Sequence, residues 1–303
     1  MRSRRGFGLA APGLVLGLLL GCAGPPGVPI APDDLHRMPI RSISGEEVWE
    51  GEVVVDRIVV VRAGGHLVIR PGTRVLFRRV DWDGDGIGDA ELTAEGRLTA
   101  RGTPQAPILF ASAEADPRPA DWKYVMVNFS PGAELAYARV SHAFSGLQVH
   151  YSPARVERCE FTRNVDGVRF STARLEVEGC WIHGNTHGVR FEERGHPARL
   201  VGNEISDNEV GVFAVTQSRG GTLIQGNNLR NNATAVKLGW EQPHDLAFPG
   251  NHWGPAQEAA VLSRVLDGRA DPGLGRVSLA PLLPSPAPVE VPPFSAPPDW
   301  PSP

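Results

Sequence analysis

The chain has little of what builds a helical bundle or a metal cluster. Among 303 residues there are three methionines, three tyrosines, three cysteines and only 7% aromatic residues. Three cysteines are too few for a cysteine-held zinc site without further ligands. No charge of one sign dominates: 30 Lys and Arg stand against 34 Asp and Glu, for a net −4. That balance gives a nucleic-acid partner no electrostatic support. Beyond the N-terminal segment no apolar run is long enough to cross a bilayer. What is abundant is 35 glycines and 28 prolines. Such punctuation suits a turn-rich β architecture, in one large domain or two ordinary ones.

The N-terminus reads as a targeting segment. MRSRR is a basic start, and FGLAAPGLVLGLLLG is a short apolar run ending before Cys22. Leu19-Leu20-Gly21-Cys22 resembles the bacterial lipobox. The resemblance implies a signal peptide over 1–21 and a lipid on Cys22. Ala23 follows where many inner-membrane lipoproteins carry Asp, which points to the outer membrane, on either its periplasmic or its surface side. The two remaining cysteines, Cys159 and Cys180, would then lie in an oxidising compartment.

Cys180 to Phe191 reads CWIHGNTHGVRF; 21 residues earlier CEFTRNVDGVRF matches it at six of twelve positions. Anchored on Gly146, Gly167, Gly188, Gly211 and Ala235, five such blocks follow at spacings of 21, 21, 23 and 24. Their columns are apolar at Val140, Phe161, Ile182, Ile205 and Leu229, and again at Leu147, Val168, Val189, Val212 and Val236. Another column holds Asn164, Asn185, Asn208 and Asn232, with Ala143 breaking it. Alternation of apolar and polar positions predicts short strands. Three strands and their turns in about 22 residues make one rung of a parallel β-solenoid, whose rungs stack about 4.8 Å apart. Stacked asparagine amides at a bend can bond one another. The glycine column is expected to mark a turn needing positive φ. Cys159 and Cys180 share one column on adjacent rungs, as a disulfide or as two buried thiols.

The pattern N-x-I-x-x-N-x-x-G-[IV] resembles the right-handed parallel β-helix repeat of pectin-lyase-like proteins, over about 130–254. The resemblance implies a single-stranded right-handed helix with three sheets per rung. Upstream, VWEGEVVVDRIVVV, the turn Pro71-Gly72-Thr73, LTAEGRLTARGT and WKYVMVNF resemble opening rungs of secreted β-helices. Asn251-His252-Trp253-Gly254 resembles a closing phrase. The expected organisation is an anchor, linker and N-terminal cap over 22–47, the β-helix over 48–254, a C-terminal cap over 255–280, and a Pro-rich tail over 281–303. That tail is expected to be extended and mobile, since proline cannot join a ladder.

Asp81-Trp82-Asp83-Gly84-Asp85-Gly86-Ile87-Gly88-Asp89 places oxygens at alternate positions, with glycine where a calcium loop turns. Asp81, Asp83, Asp85, the Ile87 carbonyl and Asp89 form a candidate Ca²⁺ ligand set of structural role. Leu92 stands where an EF-hand has its bidentate Glu, leaving Glu91 or water. The loop resembles thrombospondin-type-three and dockerin loops. A hydrophilic turn between rungs is the alternative.

The eleventh column reads Gln148, Arg169, Arg190, Phe213 and Lys237. Arg169, Arg190 and Lys237 are candidates for binding an acidic glycan. Asp166 and His187 share a column on adjacent rungs; with Arg190 they are the candidates for acid–base chemistry, as the resemblance to polysaccharide lyases and hydrolases implies. Charged residues are also what any exposed strand carries, and no paired-carboxylate signature stands apart from the repeat. Three functions remain open: a non-catalytic module binding glycan or an envelope protein, an enzyme of acidic polysaccharide, or a structural part of the envelope.

Overall fold

The computed structural model describes residues 38–254, 257–290 and 292. Cys22 and the segment 1–21 lie outside the described residues, as does most of 291–303. Among the described residues, strands of two to eight residues fall into three parallel sheets of ten, eight and seven strands, called A, B and C below, with a further two-stranded sheet and one short helix at Glu258–Leu262. Within a rung the chain visits C, then A, then B. Glu160–Thr162 is followed by Asp166–Ser171 and then Arg174–Glu178. Each strand pairs with its counterpart one rung away.

The anticipated columns are in register. Leu147, Val168, Val189, Val212 and Val236 face one another in sheet A, as do Val140, Phe161, Ile182 and Ile205 in sheet C. All are buried in one continuous core. No single rung could bury these side chains, so the core exists only through stacking.

The ladder opens at Ile40–Ile43, ahead of the expected start at 48, because Ile43 is buried in register with Val61. It continues past 254 as well: Val265–Leu266 pairs with the strand Thr234–Glu241, after the cap helix.

The expectation for the glycine column needs correction. Gly146, Gly167, Gly188 and Gly211 do not have positive φ. They are required by close approach: a Cβ on Gly167 would lie 2.7 Å from the Gly188 carbonyl oxygen and 3.1 Å from Asn185 Nδ2. The left-handed turn falls instead on Arg163 and Asp207, one residue before the asparagine ladder.

The described part of the tail, 281–290, is pinned to the solenoid rather than free. Leu283 N donates to Asn251 O at 2.9 Å. Ala287 N donates to Asn228 Oδ1 at 2.7 Å while Asn228 Nδ2 donates back to Ala287 O at 3.1 Å. Arg158 pairs with Glu290 at 3.2 Å. A chain poor in backbone donors is thus held by isolated backbone bonds, the Asn228 amide and an ion pair instead of a ladder.

Cys159 and Cys180 are free thiols in the core. The Cys159 amide donates to Cys180 Sγ at 3.4 Å. Burial pushes the Cys159 thiol well above its ordinary range, so it is inert as a nucleophile.

Candidate functional site

The outer face of sheet A carries the polar column. Register places Gln148, Arg169, Arg190, Phe213 and Lys237 on successive rungs. At its centre Asp166 is fully buried. Its Oδ1 lies 2.7 Å from His187 Nδ1 and its Oδ2 lies 3.3 Å from Arg190 Nη1. Arg169 Nη1 approaches the same Oδ2 at 3.9 Å, and the Ser145 hydroxyl reaches it at 3.5 Å. One carboxylate therefore orients an imidazole and two guanidinium groups. The sequence candidates Asp166, His187 and Arg190 do converge, and Arg169 joins them.

Burial and then the neighbouring Arg190 charge lower the Arg169 pKa from its ordinary value. Phe213 stands between two cations: Arg190 lies 5.6 Å and Lys237 4.9 Å from its ring centre. His187 leans on the same ring at 5.0 Å. Among the described residues Lys237 has no carboxylate partner. The column thus presents three cations, two of them at one aromatic ring, with the Asp166 carboxylate buried beside the arginines.

Sequence reasoning missed the lower half of this face. Glu91 is buried and accepts from the Thr93 hydroxyl at 2.8 Å. Burial raises its pKa, and burial together with Glu91 raises that of Tyr124. Gln148 Nε2 sits 3.0 Å from His150 Nε2, while Gln148 Oε1 is buried without a partner. Burial, then Arg169, lowers the His150 pKa. The signal was present in ELTA and WKYVMVN, whose outward residues align with the column, but their rungs are spaced irregularly.

Other charged residues lie elsewhere. Glu157 and Glu178 stack in sheet B, not on the face of Arg169 and Arg190, and Glu157 pairs with Arg155 at 2.6 Å. His183 is on sheet C, 2.9 Å from Glu160 and stacked on Trp181 at 3.8 Å. Trp49 and Trp122 are core residues, so neither offers a face to a sugar.

The aspartate loop joins the sheet C strand Arg74–Phe77 to the sheet A strand Glu91–Ala94. Asp81, Asp83 and Asp89 bring one oxygen each to within 4.8 Å of one another; Asp85 is not among them. Asp81 accepts from Gly84 N at 2.8 Å and Gly86 N at 3.0 Å, and Asp85 accepts from Ile87 N at 2.8 Å. Asp89 is buried and already paired with Lys123 at 2.9 Å. Glu91 turns to Thr93 instead of the loop. Leu92 is fully buried in the core.

Residues 125–240 match the family model described as a right handed beta helix region. No curated protein and no solved structure matches the chain. The fold is a right-handed parallel β-helix.

Proposed function

We propose that this β-helix is a non-catalytic module that binds an acidic glycan along the outer face of sheet A. The observation that carries the reading is the column Arg169, Arg190, Phe213 and Lys237, one residue per rung and short of anions. Arg169 and Arg190, on adjacent rungs about 4.8 Å apart, fit carboxylate or sulfate groups repeated along a chain, and Lys237 stands two rungs beyond Arg190. The aromatic ring among them offers a stacking surface. Against catalysis stands the occupation of Asp166, whose two oxygens are spent on His187 and Arg190. Among the described residues no second carboxylate pairs with His187 or Arg190.

The test is titration of the protein with an acidic polysaccharide. Arg169→Gln with Arg190→Gln should weaken binding by at least about tenfold, since each charge-assisted contact contributes roughly 1.5–3 kcal/mol. Affinity should also fall with salt. Unchanged affinity in the double variant sinks the reading.

A second reading has its own support in the 2.7 Å Asp166–His187 contact, a geometry suited to general acid–base catalysis. Under it the protein is a lyase or hydrolase of acidic polysaccharide. Ultraviolet absorbance of unsaturated ends, together with new reducing ends, decides between the two; product abolished by His187→Gln favours the enzyme.

The lipobox-like motif supports tethering of this module to the outer membrane through Cys22. Incorporation of labelled palmitate, lost in Cys22→Ser, tests the anchor. The convergence of Asp81, Asp83 and Asp89 supports a structural Ca²⁺ in the loop. Calcium at a hundredfold excess over its Kd should add roughly 2.7 kcal/mol of stability, which a melting scan with and without chelator detects. An unmoved melting temperature leaves the loop a hydrophilic turn.

A further inference from the structure

At the edge between sheets A and B the chain turns once per rung at Phe129, Tyr151 and Thr172. All three adopt left-handed φ, at 50°, 48° and 52°. Each amide donates to the carbonyl one rung on: Phe129 to His150, Tyr151 to Ser171 and Thr172 to Glu192. Glycine and asparagine take this conformation cheaply; bulky residues do not. Yet two of the three are aromatic, and they bury little. Phe129 is 70% and Tyr151 49% exposed. Their rings stack at 4.7 Å with 6° between planes. The stack of Phe170 on Phe191, by contrast, is inside the core. A strained backbone carrying an exposed ring stack contributes little to folding, which directs attention to a ligand.

The stack stops after two rings. Thr172 occupies the next rung, with a side chain too short to continue it. A recess opens there, lined by Tyr151, Ser152, Pro153, Thr172, Arg174 and His196. The Thr172 hydroxyl is buried without a hydrogen-bond partner. Arg174 is exposed and has no carboxylate partner among the described residues. The recess therefore combines an open aromatic face and an unpaired cation, with an unsatisfied hydroxyl enclosed in its wall.

We propose that this recess is a subsite for one acidic sugar residue. Its pyranose ring takes the place of the missing third ring on Tyr151. Its carboxylate meets Arg174, and rotation of Thr172 about χ1 brings the enclosed Oγ1 to a ring hydroxyl. The subsite rests on the acidic-glycan reading and extends it from the face of sheet A around its edge. A neutral sugar would leave Arg174 unused. A flat aromatic ligand would leave the Thr172 hydroxyl unpaired.

The test is calorimetric titration of the full chain, in mild detergent, with a short oligouronate and with its carboxyl-reduced neutral counterpart. Tyr151→Asn and Arg174→Gln should each weaken oligouronate binding about fivefold to tenfold. Thr172→Phe, which fills the recess with a third ring, should do the same. The neutral oligomer should bind the wild type weakly and be indifferent to Arg174→Gln. Asparagine tolerates the left-handed turn, so Tyr151→Asn should leave the melting temperature unchanged or raised. Recess variants that bind like wild type, while Arg169→Gln with Arg190→Gln binds weakly, overturn the subsite and leave the face reading standing. Weakened recess variants beside an intact arginine pair variant support the subsite and overturn the face. Absence of any oligouronate binding by the wild type overturns both.

Discussion

Replacing Asn185 by leucine is expected to lower the stability of the solenoid by about 3–5 kcal/mol, the upper range for a single substitution. Asn185 Oδ1 accepts from the Asn164 amide at 2.9 Å and from Asn164 Nδ2 at 3.1 Å. Its own Nδ2 donates to Phe161 O, His183 O and Asn208 Oδ1, each at 3.0 Å. Leucine has the same branched skeleton, with bulkier methyl groups, but offers none of these. The amide of Asn164 is left buried and unpaired, at roughly 1–3 kcal/mol, and the carbonyls of Phe161 and His183 each lose a donor. The cost is not local, because each asparagine orients the next.

Asn232 gives the contrast. It accepts from Asn208 and donates to Ile205 O, but no further asparagine lies beyond it in the ladder. Asn232→Leu should therefore cost less than Asn185→Leu. Urea unfolding of the two variants and wild type checks both the size and the order. Equal midpoints for wild type and Asn185→Leu would show that the ladder does not hold the turn.

How much of this was legible depended on what kind of regularity each feature has. The apolar columns and Asn164–Asn232 were readable because stacking turns a spatial register into a spacing in sequence. Asp166, His187 and Arg190 could be placed on one face for the same reason. The glycine column was readable as glycine but not as to cause. Positive φ and close approach both exclude a Cβ, and only coordinates show the Gly188 oxygen 2.7 Å from where one would sit on Gly167.

A second amide ladder escaped notice altogether. Asn203, Asn227 and Asn251 stack at the turn from B to C, each amide donating to the next side-chain oxygen at 2.9 Å. The two rungs before it carry Cys180 and Cys159 in the same column. The Cys180 amide still donates to Asn203 Oδ1 at 2.9 Å. The cysteines are the ladder's replacements, which explains why they are stacked and unbonded. Phe129 and Tyr151 escaped because composition treats an exposed ring and a core ring alike.

His142 should make the protein markedly less stable as pH falls from about 6.5 to 4. It is buried, 6% exposed, and both ring nitrogens lack a hydrogen-bond partner. Burial, then the Arg163 and Arg139 charges, push its pKa from 6.5 down to about 4. The folded protein therefore keeps it neutral where the unfolded chain takes up a proton. Between those two values the unfolded state binds more protons, so stability is full above 6.5 and declines on acidification, by about 3 kcal/mol in total. Glu91 opposes this trend, since burial raises its pKa and the folded state then holds a proton more tightly. The total pH curve mixes the two. His142→Asn isolates the first, because asparagine tolerates the left-handed φ of 67° found here and does not titrate. The advantage of wild type over the variant should shrink, or reverse, between pH 7 and pH 4.5 in urea titrations. Parallel curves would mean that His142 finds a proton acceptor in solution and is not held neutral by the fold. A declining difference would tie the solenoid's acid sensitivity to one imidazole at the turn from C to A. That turn lies one rung before Arg163, in the stack that carries the asparagine ladder.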